Sequence, residues 1–102
     1  MRPAMTDPPF TTVQRRLDDG RVRLLLRGEL DYETAVFARR AIAGVIPSTD
    51  NLVIDLSGID KADAFGLAVL LRARHTSLAE GCRIRLVNAS APLRDVWATA
   101  TV

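Results

Sequence analysis

Two short segments of the sequence hold the residues best placed to do chemistry or to bind a partner. The first is residues 28–31, with the sequence GELD, and the second is residues 55–71, with the sequence DLSGIDKADAFGLAVLL. In each segment an aspartate, Asp31 or Asp63, precedes a stretch of helical composition. A carboxylate there accepts hydrogen bonds from the free amides of the first helical turn and is favoured by the positive end of the helix. Helix capping is a sufficient explanation for either aspartate taken separately. The occurrence of both indicates a binding face formed by the two helix starts.

The remaining chemistry-bearing side chains favour structural roles. His75, the only histidine, falls inside the second helical stretch with no carboxylate at helical spacing, which predicts a surface or partly buried position. Cys82 is a lone cysteine and predicts a small apolar filler, while Asp18 and Asp19 precede a glycine and are typical of a turn. Trp97 closes the core or, alternatively, anchors an interface. Phosphate-binding glycine loops and metal-ligand spacings are absent from the sequence, so we expect no enzyme activity, no cofactor and no metal.

Length and composition indicate one ordinary globular domain. The chain has 102 residues, of which 48% are hydrophobic and 25% are charged. We expect a flexible N-terminal leader over residues 1–9, which contain three prolines, followed by a single domain with a short C-terminus over residues 10–102. No secretory leader and no apolar stretch of about 18 residues is present, which predicts a cytoplasmic location without membrane insertion.

The charge balance gives no sign of a nucleic-acid partner. Basic residues outnumber acidic ones by 14 to 12, and 13 of the 14 are arginines. The arginines are scattered along the chain without a run of five, so we interpret them as solvated positions, with an anion-binding patch as the alternative.

Alternation, turn residues and helical spacing predict seven elements: strands at 10–17, 22–27, 51–56 and 83–87, and helices at 32–45, 63–81 and 91–98. The apolar strand 51–56 is expected to be central and buried on both faces, and residues 57–62 are expected to form a loop. This order, β-β-α-β-α-β-α, implies an α/β fold in which helices pack against a mixed sheet. Asp31 and Asp63 then lie at neighbouring strand ends.

These residues resemble the STAS domain family, in particular the bacterial anti-sigma factor antagonists. In that family a strand ending in GELD opens the first helix, and a buried strand runs through a DLSG-like turn to the motif Asp-Ser-Ser-Gly-Leu-Gly at the start of the second helix. Residues 28–31 match the first feature, and Asp63, Gly66 and Leu67 match the second. The likeness covers residues 10–93.

The resemblance implies a non-enzymatic switch that binds an anti-sigma factor and thereby releases a sigma factor. In the family, the anti-sigma factor is also a serine kinase of the GHKL type, and phosphorylation of the serine after the motif's aspartate ends binding by adding about −1.5 to −2 charges. The residues expected to face the partner are Asp31, Asp63, Ala64, Phe65 and Gly66. The alternative that the family allows is a scaffold or accessory subunit of a stress-signalling assembly or a membrane transporter.

The sequence departs from the family pattern at the phosphorylation site. Ala64 replaces the serine, and Phe65 replaces the second hydroxyl residue. We expect Phe65 to pack inward against the sheet, with an exposed contact for a partner as the alternative. Ser57 is the fallback candidate for phosphorylation. The chain ends at Val102, earlier than is usual in the family, and a homodimer that covers the remaining surface is therefore expected.

Overall fold

The computed structural model describes residues 9–100, and its elements follow the predicted order. They are β1 (Phe10–Arg16), β2 (Val22–Leu30), α1 (Ala35–Val45), β3 (Asn51–Ala62), α2 (Ala64–Ser77), β4 (Arg83–Val87) and α3 (Ala91–Ala100). The α/β fold class is thereby confirmed. The predicted leader, residues 1–9, lies outside the described residues except for Pro9, whose carbonyl accepts a hydrogen bond from the Glu29 amide at 2.7 Å.

The four strands form one mixed sheet in the order β1-β2-β3-β4. β1 and β2 are an antiparallel hairpin, whereas β2, β3 and β4 are parallel neighbours. The hairpin turn is the predicted one: Gly20 has a φ of +90°, which favours glycine, and Asp19 accepts a hydrogen bond from the Arg21 amide at 3.0 Å. Each parallel connection crosses over through a helix and advances the sheet by one strand in the same direction.

The hydrophobic core lies between one face of the sheet and the three helices. Alternate residues of the two inner strands point into it, because successive side chains of a strand lie on opposite faces. Its fully buried members include Leu24, Leu26, Leu52, Ile54 and Leu56 from the sheet and Ile42, Leu70 and Leu93 from the helices. The other face of the sheet is left open by the described helices.

Strand β3 is twice as long as the sequence pattern predicted. The expected loop at residues 57–62 is wrong, because these residues continue the strand and pair with the second half of β2. Register irregularities opposite Leu25–Arg27 and Gly28–Glu29 insert extra residues into β3, which breaks the alternation that marks a strand. Burial on both faces holds only in part. Helices cover one face of β3, and on the other face Asp55 is buried whereas Val53 is half-buried and Asn51 is exposed.

Helix α1 begins at Ala35, three residues later than predicted. Residues 31–34 form a separate turn that precedes the helix. The Asp31 carbonyl in this turn already accepts a hydrogen bond from the Ala35 amide at 2.8 Å. The side chain of Asp31 therefore caps this turn ahead of the helix.

Candidate functional site

The starts of α1 and α2 lie side by side at one end of the sheet. β2 and β3 are adjacent and parallel, and Leu30 pairs with Ala62 where the two strands end. The amide of Asp63 donates a hydrogen bond to the carbonyl of Leu30 at 3.2 Å. The prediction that Asp31 and Asp63 stand at neighbouring strand ends is therefore confirmed by the strand order.

Asp63 links the two helix starts through both of its carboxylate oxygens. Oδ1 accepts a hydrogen bond from the Gly66 amide at 2.9 Å and so caps α2. Oδ2 accepts a hydrogen bond from the Tyr32 amide, in the segment before α1, at 3.1 Å. One side chain thus holds the relative position of two loops that sequence alone treats separately.

Asp31 and Thr34 fix the turn before α1. Asp31 Oδ1 accepts hydrogen bonds from the amides of Glu33 at 3.0 Å and Thr34 at 3.1 Å. The Thr34 hydroxyl donates to the Glu29 carbonyl at 2.7 Å and accepts from the Asp31 amide at 3.0 Å, and the residue is almost fully buried. Sequence reasoning missed Thr34, although its spacing of three residues from Asp31 is typical of a capping pair.

Gly66 permits the close approach of α2 to the end of β2. The residue is buried, and a Cβ atom built on it would lie 2.1 Å from the carbonyl oxygen of Leu30. Gly66 is predicted to face a partner, but the residue is buried. The absence of a side chain at this position allows α2 to pack against Leu30. Ala64, two residues earlier, is exposed.

Phe65 points into solvent, so the expectation that it packs inward is wrong. Its side chain is 68% exposed, and that of Tyr32 is 66% exposed. The two ring centroids are 6.3 Å apart with an interplanar angle of 60°, an arrangement favourable for aromatic rings. Phe65 is exposed because the helix turns the next two residues, Gly66 and Leu67, toward the core. Sequence reasoning did not single out Tyr32.

We call five residues at this end of the sheet the helix-start surface: Asp31, Tyr32, Asp63, Ala64 and Phe65. Tyr32, Ala64 and Phe65 are exposed, and the two aspartates are partly buried. It combines a pair of exposed aromatic rings with two carboxylates that are held by backbone amides. Large exposed apolar side chains on a rigid frame are typical of protein interfaces, where aromatic residues are enriched.

The other side chains considered from the sequence lie elsewhere. His75 is exposed on α2, and Cys82 is buried, where burial raises the pKa of its thiol. Trp97 is half-buried and packs against the core, and Ser57 is exposed on β3 with its amide donating to Asp55 at 2.9 Å. Within residues 9–100 no group of three or more histidine, cysteine or acidic residues is placed to hold a metal. None of the helices in this part of the chain is long and apolar enough to span a membrane.

Comparison with known families and structures gives a consistent result. The family profile described as Mlab, STAS domain, matches residues 13–102. An anti-sigma factor antagonist from Mycobacterium paratuberculosis is 29% identical over 95% of this chain and 84% of its own, with a TM-score of 0.75. No curated protein matches the chain.

Two more distant structures share the fold. The phosphorylated form of the Bacillus cell fate determinant SpoIIAA is 21% identical over 88% of this chain and 83% of its own, with a TM-score of 0.66. The murine anion transporter Slc26a9 is 24% identical over 78% of this chain but only 14% of its own, with a TM-score of 0.65.

Proposed function

This chain belongs to the STAS domain family, and on that premise we propose that it is a protein-binding regulator of the anti-sigma factor antagonist kind. Its partner is then an anti-sigma factor with a serine kinase domain of the GHKL type, in the cytoplasm of a bacterium. The likeness to the Mycobacterium paratuberculosis antagonist supports the proposal because it extends over nearly the whole chain. In this proposal the chain contributes a binding surface, and the catalysis belongs to its partner.

The observation that carries the proposal is the exposed Tyr32–Phe65 pair on a frame fixed by Asp63. Exposing two large rings together costs solvation free energy, roughly 25 cal/mol for each Å² of apolar surface left in water. That cost is recovered when a partner covers the rings, and aromatic side chains commonly supply the largest contributions to binding. Because the hydrogen bonds of Asp63 hold both loops before binding, little conformational entropy is lost when the partner docks.

Ala64 makes this regulator insensitive to the phosphorylation that the family resemblance implies. A methyl group has no oxygen to attack the terminal phosphate of ATP, so the kinase cannot modify this position. In the family, the added phosphoryl group would stand beside the aspartate that corresponds to Asp63, where like charges repel. With Ala64 in that place, the partner stays bound while its kinase is active.

The second candidate function is an accessory or scaffold role in a transporter or a stress-signalling assembly. The structural likeness to murine Slc26a9 favours it, although that likeness concerns the fold alone and a small part of the transporter. The helix-start surface would serve the same binding purpose there, toward a different partner.

Binding measurements on matched variants test the main proposal. The probes are the purified anti-sigma factors with GHKL kinase domains encoded in the genome that contains this chain, measured one by one by biolayer interferometry. We expect one of them to bind, and Phe65→Ser to weaken that binding by about 30-fold, as loss of an interface hot spot of about 2 kcal/mol does. The matched control is Leu78→Ser, which removes a 59% exposed side chain beyond the opposite end of α2.

The control variant distinguishes binding at the helix-start surface from nonspecific hydrophobic binding. Unchanged affinity in Leu78→Ser together with the loss in Phe65→Ser supports the helix-start surface. Equal effects of the two substitutions, or no binding to any of these anti-sigma factors, would contradict the proposal.

A further inference from the structure

The open face of the sheet carries a row of arginines that the strand register assembles from three strands. Reading across the sheet, the paired positions are Arg15 on β1, Arg23 on β2, Val53 on β3 and Arg85 on β4. With neighbouring strands about 4.8 Å apart, this row spans about 14 Å. All three arginines are exposed. We define the open sheet face as this row, the row next to it that begins at Val13, and the row beyond that, in which Arg27 pairs with Thr11 and Gly58.

The row beside the arginines is mostly aliphatic. Its paired positions are Val13, Leu25, Asp55 and Val87, in strand order. Val13 is 52% exposed, and Leu25 and Val87 are half-buried. A groove of about 270 Å³ runs between the two rows on the β1 side. Beyond the aliphatic row, a further exposed arginine, Arg27, extends over the backbone of Gly58.

Charge on this face is poorly balanced within the chain. The only acidic side chain in these rows is Asp55, which is buried and forms an ion pair with Arg23. Arg15 lies directly opposite Arg23 in the hairpin, and like charges in directly opposite positions destabilise a sheet. Arg15, Arg27 and Arg85 therefore add three positive charges to these rows. The next carboxylate along this face, that of Glu29, lies two residues beyond Arg27 on β2 and is paired in the strand register with the cationic Lys61. The chain as a whole has a formal charge of only +2.

We propose that the open sheet face is a second protein-docking surface, which binds an acidic segment of a partner protein through Arg15, Arg27 and Arg85. Arginine presents a planar set of donors that matches a carboxylate with two parallel hydrogen bonds. The aliphatic row between the arginines then contacts apolar side chains of the same segment. Charge complementarity and this mixture of arginine with aliphatic residues identify the occupant as an acidic, partly apolar stretch of protein.

Nucleic acid and anionic lipid fit this face less well. Single-stranded nucleic acid is held by aromatic side chains on which the bases stack, and the rows described above contain no aromatic residue. Lipid surfaces are bound by amphipathic helices or clusters of lysine and arginine with protruding apolar groups. This face is a sheet, and among the aliphatic side chains of its described rows only Val13 is exposed. The open sheet face is also distinct from the helix-start surface, which lies at the ends of β2 and β3. The protein would thus contact two partner segments at once.

A titration with defined probes tests this proposal on the full chain. The probe is a synthetic peptide of repeated Glu-Leu-Glu units, about 12 residues long, which in extended form exceeds the length of the arginine row. The comparison peptide of Glu-Ser-Glu units has the same charge without the apolar side chains. We expect amide chemical shifts to change in β1, β2 and β4 in ¹⁵N NMR spectra, and the Glu-Leu-Glu peptide to bind several-fold more tightly than its comparison peptide.

Two triple variants with equal loss of charge provide the control. Arg15→Gln, Arg27→Gln and Arg85→Gln remove the proposed contacts and leave the Arg23–Asp55 ion pair intact. Three substitutions on the helices, with the same charge change, serve as the control variant: Arg39→Gln, Arg40→Gln and Arg72→Gln. We expect about tenfold weaker peptide binding in the first variant, because each exposed ion pair contributes little but three are lost together, and little change in the second.

The outcomes separate this proposal from its competitors and from the main function. Equal weakening in both variants, or shifts confined to the helices, would show that the peptide responds to net charge and would overturn the proposal. So would tighter binding of single-stranded DNA or of phosphatidylglycerol vesicles than of the peptide. Phe65→Ser should leave peptide binding unchanged, so failure here does not depend on whether an anti-sigma factor binds at the helix starts.

Discussion

Replacing Gly66 by alanine tests the geometry that places α2 against the end of β2. The new Cβ atom would lie 2.1 Å from the Leu30 carbonyl oxygen and 2.6 Å from its carbon, far inside van der Waals contact. These are backbone atoms of a fully buried residue, so the clash is relieved only if the start of α2 moves away from β2. That movement also disturbs the hydrogen bond from the Gly66 amide to Asp63.

The expected destabilisation follows from opposing contributions. Overpacking a close contact costs about 1–3 kcal/mol, and a disturbed helix cap costs about 1 kcal/mol more. Alanine recovers up to about 1 kcal/mol through its higher helix propensity. The net loss in the free energy of unfolding of Gly66→Ala is then about 2 kcal/mol. For a domain of this size, that loss lowers Tm by roughly 8–16 °C.

Gly44→Ala is the matched control, because it makes the same substitution in the other long helix. A Cβ atom at Gly44 meets nothing within 4 Å. We expect this variant to gain about 0.5 kcal/mol from helix propensity and a less flexible unfolded chain. Urea denaturation followed by circular dichroism measures both variants. A Gly66→Ala protein as stable as the natural chain would refute the close approach of α2 to Leu30.

Three further predictions concern the same end of the molecule and the Arg23–Asp55 ion pair. Asp63→Ala should lower the free energy of unfolding by about 1–2 kcal/mol in urea denaturation and speed hydrogen exchange of the Tyr32 amide, because the Gly66 and Tyr32 amides both lose the carboxylate as acceptor. A Tyr32 amide that exchanges as slowly as in the natural chain would contradict the proposed contact between Asp63 and the segment before α1. Burial opposes ionisation of Asp55, but hydrogen bonds from its arginine partner and a backbone amide outweigh burial and lower its pKa from 3.8 to about 2. Its contribution, on the order of 2 kcal/mol, is present above pH 3.8 and is lost as the pH falls through about 2, so stability curves of the natural chain and Asp55→Asn should converge in acid. Ala64→Ser should gain little phosphate from the anti-sigma factor kinase in mass spectrometry, because the exposed Phe65 ring beside the new hydroxyl restricts its approach, whereas Ala64→Ser with Phe65→Ser should be phosphorylated; equal modification of both would contradict this reasoning.

Local signals in the sequence predicted the parts of the fold that depend on neighbouring residues. The hairpin turn at Asp19 and Gly20, the cap of α2 by Asp63 and the strand at residues 83–87 all rest on residue types and spacing within a few positions, and the structure confirms each of them. The second half of β3 could not be predicted in this way. Its polar residues resemble a loop, and its strand conformation depends on pairing with β2.

The sequence predicted the two aspartates of the site but not the exposed aromatic pair. The two aspartates and their proximity followed from the order of strands and helices. The outward direction of Phe65 and its contact with Tyr32 depend on how α2 is rotated against the sheet, which the hydrophobic pattern of residues 63–67 left open. The arginine row could not be predicted from the sequence for a similar reason. Arg15, Arg23 and Arg85 become neighbours only through the register of the sheet.

Native mass spectrometry of the natural chain, mixed with its anti-sigma factor kinase and Mg-ATP, tests the central claim most directly. The measurement reports in one spectrum whether the two proteins are bound and whether a phosphoryl group has been transferred. We predict a complex that persists in the presence of ATP, with this chain at its unmodified mass. Transfer of a phosphoryl group to the natural chain, at Ser57 or elsewhere, accompanied by dissociation of the complex, would contradict the account.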